Sequence, residues 1–117
     1  IEATSIIFDE IDTGVSGRVS QRMAEKMYQL GVGSQVLCIS HLPQTTALAD
    51  TNLLISKEII DKRTLTVIRE LSEEEKIAEV ARMVSGDTMT KLSEEHSIEM
   101  LRLAEKTKAE IKEKLNK

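Results

Sequence analysis

Two short, uninterrupted apolar runs, residues 4–8 (TSIIF) and 35–40 (QVLCIS), constrain this fold more than any other feature. Apolar side chains without alternation suit strands buried on both faces, as in a parallel sheet covered by helices. Between the runs, Val19, Met23, Met27 and Leu30 fall on one helical stripe, Ser16 is placed to cap the helix start, and residues 31–34 (GVGS) end it. Strand, helix and strand over this length predict a right-handed βαβ crossover with a central parallel strand.

The pattern then changes. His41 and Pro43 break the second strand, and Pro43 suits the first position of a short helix reaching about Ala49. Residues 51–58 and 64–70 are strand-like and flank the polar stretch 61–63 (DKR), which predicts an antiparallel hairpin at the sheet edge. Ser72 with Glu75 forms a capping box ahead of Ile77, Val80, Ala81 and Val84, and Gly86 ends that helix. A last helix over residues 92–115 carries Leu101, Ala104, Ile111 and Leu115 near heptad spacing, with Lys108 interrupting the seam. Two imperfect heptads are too few for a coiled coil, so this helix is expected to pack on the parent domain. The fold class is therefore α/β, in one unit of 117 residues.

Composition excludes several roles. Sixteen Lys and Arg against 20 Asp and Glu leave a net charge of −4, and the last helix is nearly neutral, so nothing here grips a phosphate backbone strongly. Phe8 and Tyr28 are the only aromatics, too few for a base-stacking platform. No apolar run approaches the roughly 18 residues that cross a bilayer, which predicts no membrane partner. The single cysteine fits a reducing, cytoplasmic setting. Cys38 itself, beside Val36, Leu37 and Ile39, reads as a buried small hydrophobe. The five methionines read as core or near-core residues and His96 as an exposed helical one.

Chemistry concentrates at the strand ends. In an open parallel sheet, ligands bind beyond the carboxyl ends of the strands, where Asp9-Glu10 and His41 both fall. An apolar strand ending in Asp-Glu is the Walker B pattern: the first carboxylate, Asp9, orients a magnesium ion that keeps most of its waters. The next, Glu10, reaches the water that attacks a γ-phosphate. Alone, such a pair is equally an ordinary solvated loop, His41 a structural histidine, and Gly14, Ser16 and Gly17 a turn with a cap. Their placement on adjacent strand tips favours the chemical reading.

The stretches IIFDEIDTGVSG and VLCISHLPQ resemble the C-terminal part of the ATPase head of the RecN family, bacterial DNA-repair proteins related to the SMC and ABC ATPases. The resemblance covers residues 5–50 and extends more loosely through the hairpin and residues 81–86 (ARMVSG). It implies a partial P-loop NTPase fold, Asp9 and Glu10 as Walker B, residues 11–17 as the D-loop (Asp12, Gly14, Ser16, Gly17), and His41 as the switch histidine on the γ-phosphate. Ser16 stands where many relatives in the wider SMC class carry an aspartate, and Thr45-Thr46 replaces a small apolar pair after the HLPQ motif. ATP and Mg2+ are the implied ligands. The implied partners are the N-terminal half of the same head, a second head in an ATP-dependent dimer, and DNA through the complete protein, in the bacterial cytoplasm at the nucleoid.

None of the five glycines begins a GK[ST] phosphate-loop ending, and no LSGG-type signature occurs. The chain is thus expected to be the terminal section of a split head, which by itself neither hydrolyses ATP nor binds it tightly. Two other classes compete. A non-catalytic interaction or dimerisation module would need no convergence of Asp9, Glu10 and His41 on one cleft. A phosphoacceptor receiver would gather acids at several strand ends, whereas this chain has one acidic pair, a histidine at the next tip and a terminal hairpin with helices.

Overall fold

A computed structural model describes residues 5–11, 14–86 and 89–116. Strand β1 (Ser5–Asp9) leads into helix α1 (Gly17–Gly33), which returns to strand β2 (Gln35–Ile39). The two strands pair in parallel, Ser5 opposite Gln35 through Asp9 opposite Ile39, so the βαβ unit is present. Ser16 caps α1, its Oγ accepting a hydrogen bond from Val19 N at 3.4 Å. Thr4, placed in the strand from sequence, lies outside the described residues.

Double-faced burial does not hold. Among the described residues β1 and β2 form a two-stranded sheet that exposes alternate residues, with Ile7 67% exposed and Leu37 and Ile39 near half. Among the described elements only α1 packs on these strands, against β2. One helix covers one face, so the apolar residues on the other face stay open and Cys38 is half-buried instead of sealed. The α1 stripe is also rotated: Ser20, Ala24, Met27 and Tyr28 are buried, while Val19 and Leu30 are exposed. The helix runs through Gly31 and stops at Ser34.

Helix α2 (Pro43–Leu48) has proline in its first turn, as its sequence predicts. Strands β3 (Leu53–Ile60) and β4 (Arg63–Glu70) pair antiparallel, Ile60 opposite Arg63. The turn is the two residues Asp61 and Lys62, with φ of 50° and 65°. Two consecutive left-handed residues match the strand twist that a tight hairpin requires. The hairpin is not an edge of the first sheet: the described strands form two separate sheets. Its face bearing Leu53, Ile55, Ile59 and Ile68 is exposed.

Helices α3 (Glu73–Ser85) and α4 (Lys91–Leu115) pack on each other and on α2, and α1 packs on α2 and α4. The core they enclose is built from small side chains: Ala24, Ala47, Leu48 and Ala104 cluster with Leu101, and Val80, Ala81 and Ser97 are sealed. Ser97 Oγ donates to Ile77 O at 2.7 Å, which satisfies a buried hydroxyl at the α3–α4 contact. The α4 seam differs from its sequence reading. Ser93, Ser97, Ala104 and Lys108 are its buried positions, and Leu115 is exposed. Lys108 does not interrupt the seam but lies within it.

The capping box of α3 is complete. Ser72 Oγ accepts from Glu75 N at 3.2 Å and Glu75 Oε1 accepts from Ser72 N at 3.1 Å. Glu75 also pairs with Arg69 of β4, tying the hairpin to the helix. The Ser72 amide and the Arg69 guanidinium together hold the Glu75 carboxyl below its ordinary range. Its contribution to stability is thus present above the ordinary carboxylate pKa and fades as pH falls through the lowered value. Ser72→Ala should cost about 1 kcal/mol in denaturant unfolding with an unchanged m-value. An unaltered midpoint would show that the cap contributes nothing.

Candidate functional site

The β1 tip is extended by one residue through a sharp backbone turn. Glu10 N donates to Ile39 O at 2.8 Å, continuing the parallel ladder, yet Glu10 has φ of 50°, a region non-glycine residues occupy at a cost. That turn brings its side chain towards the end of β2. His41, two residues beyond β2, presents Nδ1 3.7 Å from Glu10 Oε1. The two side chains remain 55% (Glu10) and 64% (His41) exposed, so the pair faces solvent. Residues separated by 31 positions in sequence thus meet because the parallel pairing sets β1 and β2 side by side.

Asp9 is the last residue of β1, exposed and in register with Ile39. Among the described residues no group of three or more His, Cys, Asp or Glu side chains gathers as a metal cage. A single accessible carboxylate suits magnesium, which keeps several waters and takes its remaining ligands from phosphate. The donor set at this tip fits that ion and does not fit a dedicated protein cage.

The glycine-rich segment follows β1 in sequence. Gly14 has φ of +78°, a left-handed turn that disfavours a side chain. Ser16 commits its hydroxyl to capping α1. A Cβ at Gly17 would lie 3.6 Å from Gln44 Nε2, so the loop abuts the start of α2. Asp12 lies outside the described residues. Gln44 is the neighbour that sequence alone did not assign; its signal is its place in the second position of α2, three residues after His41.

Glu10 and His41 therefore converge, but on an open surface. Two clefts of about 360 and 330 Å³ lie elsewhere, one between Leu54, Arg69 and α3, the other among Gln21, Gln44 and Met100. No helix among the described residues is long and apolar enough to cross a membrane.

No family model matches the chain. Its relatives are nonetheless clear. It is 54% identical to the DNA repair protein RecN of Bacillus subtilis (strain 168) over 107 residues, 92% of this chain and 19% of that protein. Against RecN of Halalkalibacterium halodurans it is 59% identical over 101 residues, 86% of this chain and 18% of that protein. Against RecN of Rickettsia conorii the identity is 41% over 99 residues, 85% of this chain and 18% of that protein. The chain spans about a fifth of the length of the curated relatives it matches. At 54% and 59% identity over 92% and 86% of its length, the chain is a RecN-type sequence, similar to one section of that DNA repair protein.

Proposed function

We propose that this chain contributes the Walker B carboxylates, the D-loop and the switch histidine to a RecN-type ATPase head acting in recombinational repair of DNA breaks. The observation that carries the proposal is the approach of His41 Nδ1 to within 3.7 Å of Glu10 Oε1 from neighbouring strand tips. The left-handed backbone of Glu10 supports it, since strain of this kind persists where surroundings hold a side chain in a working position.

Each residue then has a distinct task. Asp9 would hold a magnesium ion that keeps most of its waters, and the ion, when bound, would supply neutralisation of phosphate charge. Glu10 accepts a proton from the attacking water or aligns it, which requires a carboxylate within hydrogen-bond reach of the water. His41 donates to a γ-phosphate oxygen while contacting Glu10, linking the two groups that flank the reacting bond. Gly14, Ser16 and Gly17, the described part of the D-loop, would face a second head.

The exposure of both side chains accords with a site completed by other polypeptide. The N-terminal half of the head supplies the phosphate loop, a second head closes the far side, and DNA is engaged by the complete protein. The isolated 117-residue chain should therefore show neither hydrolysis nor micromolar ATP affinity, because the loop amides and lysine that make most phosphate contacts are absent from its sequence. Micromolar binding in calorimetry would contradict this division of labour.

In a full-length protein carrying this sequence, His41→Ala should lower hydrolysis on the order of 10²-fold, the scale of losing one charge-stabilising donor. Its folding should be little changed, since His41 is exposed at a strand tip. Wild-type turnover by this variant would remove His41 from the mechanism and favour a docking role for the surface.

A further inference from the structure

Helix α1 is cationic inside a chain whose net charge is −4. It carries Arg18, Arg22 and Lys26 against a single acid, Glu25. The three cations recur at every fourth position, and at about 3.6 residues per turn they fall within roughly 80° of arc. The opposite side of the helix holds Ser20, Ala24, Met27 and Tyr28, which are buried, and α1 packs on α2, α4 and β2. Arg18, Arg22 and Lys26 are all exposed and form one row along the solvent face.

Such a row is locally unfavourable. Like charges four residues apart on a helix repel each other. Cations near a helix N-terminus also oppose its dipole, and the first turn of α1 holds no acid to compensate. Helices α3 and α4 carry neutralised arginines instead: Arg82 pairs with Glu79 and Arg102 with Glu99, each three residues earlier. Val15, Val19 and Met23 occupy the equivalent positions before Arg18, Arg22 and Lys26. Among the described residues no carboxylate pairs with any of the three, Glu25 included. A row that opposes its own helix and meets no partner within the described chain is suited to an anion outside it.

Its length, chemistry and surroundings select that anion. The row is about 12 Å long, a length over which duplex DNA presents about seven phosphate charges on its two strands. Two of its three cations are arginines, whose planar forks bind phosphate oxygens in pairs. No aromatic side chain shares the exposed face, since Tyr28 is buried and Phe8 lies on β1, so single-stranded bases find no stacking platform there. We infer that Arg18, Arg22 and Lys26 contact the phosphate backbone of duplex DNA in the complete protein, without reading its sequence. This rests on the engagement of DNA by the complete protein proposed above. Three contacts on a chain of net charge −4 hold DNA weakly, so the row adds to contacts made elsewhere in that protein.

The test is fluorescence anisotropy of a full-length protein carrying this sequence on a labelled duplex of arbitrary sequence, with magnesium-ATP, across a series of salt concentrations. The triple variant Arg18→Gln, Arg22→Gln, Lys26→Gln should bind at least about tenfold more weakly near 0.1 M salt, and its slope of log affinity against log salt should fall by about 2 to 3. Hydrolysis of ATP without DNA should be unchanged, because the row lies outside the residues assigned to the chemistry. A control, Lys57→Gln, Lys62→Gln, Arg63→Gln, removes the same charge from the exposed hairpin and should weaken binding less. Equal losses from both variants, or unchanged affinity and slope in the first, overturn the inference and leave the ATPase reading standing. Loss of the ATP-dependent dimer by the first variant in size-exclusion chromatography without DNA would assign the row to the second head and also overturn it. If the wild type binds no duplex, the proposed engagement of DNA fails and the row fails with it. Should the triple variant not fold, Arg22→Gln alone should lower the slope by about 1, and an unchanged slope is equally contrary.

Discussion

Glu10→Gln in a full-length protein carrying this sequence should cut ATP hydrolysis by roughly 10² to 10⁴ while leaving ATP binding intact. The amide keeps the size and hydrogen-bonding capacity of the carboxylate but cannot accept a proton from the attacking water. The Glu10 backbone bond to Ile39 is unaffected by the change, so the strand tip keeps its shape. If hydrolysis releases the two heads of the proposed ATP-dependent dimer, that dimer should accumulate, and size-exclusion chromatography with ATP should show it. A variant that loses binding together with hydrolysis would move Glu10 from catalysis to structural or metal support.

Asp9→Asn should fail differently. If Asp9 is the proposed metal ligand, its replacement removes a charge from a hard-cation site and leaves an amide oxygen, so magnesium-dependent ATP affinity should fall by at least about tenfold along with turnover. Titrating ATP with and without magnesium separates the two contributions. The loss should appear only in the presence of the ion, and equal affinities for Asp9→Asn and wild type with magnesium would remove Asp9 from the metal role. Asp9 is exposed at the end of β1, so the variant should fold like the wild type.

Much of this arrangement is legible in the residues themselves. Continuous apolarity in residues 4–8 and 35–40 marks the two strands, observed over Ser5–Asp9 and Gln35–Ile39, and the Ser72–Glu75 capping box marks the start of α3. The meeting of Glu10 with His41 follows from parallel pairing, which sets adjacent carboxyl ends beside each other. What opposes each face is less readable. Ile7, Leu37 and Ile39 have the sequence of doubly buried strands, yet α1 covers one side alone. Small residues mislead in the opposite sense. Ser93, Ser97 and Ala104 carry little hydrophobic signal but let helices approach closely, so the α4 seam lies on them and not on Leu115.

Lys108 shows the limit most clearly. A lysine in an apolar stripe reads as an interruption, because its partner Asp50 lies 58 positions away and only the packing of α4 on α2 brings them together. The approach of Gln44 to the position a Gly17 side chain would take is likewise invisible in sequence, since it depends on how the start of α1 meets the start of α2. Local chemistry marks the elements, whereas contacts distant in sequence decide which polar groups become buried.

The central claim is that binding and chemistry are divided between two consecutive carboxylates at one strand tip. Single-turnover hydrolysis measured beside ATP affinity, on Asp9→Asn and Glu10→Gln in the same full-length protein, tests it most directly. Glu10→Gln should bind magnesium-ATP like the wild type and barely cleave it, while Asp9→Asn should bind it poorly. Near wild-type cleavage by Glu10→Gln would contradict the account.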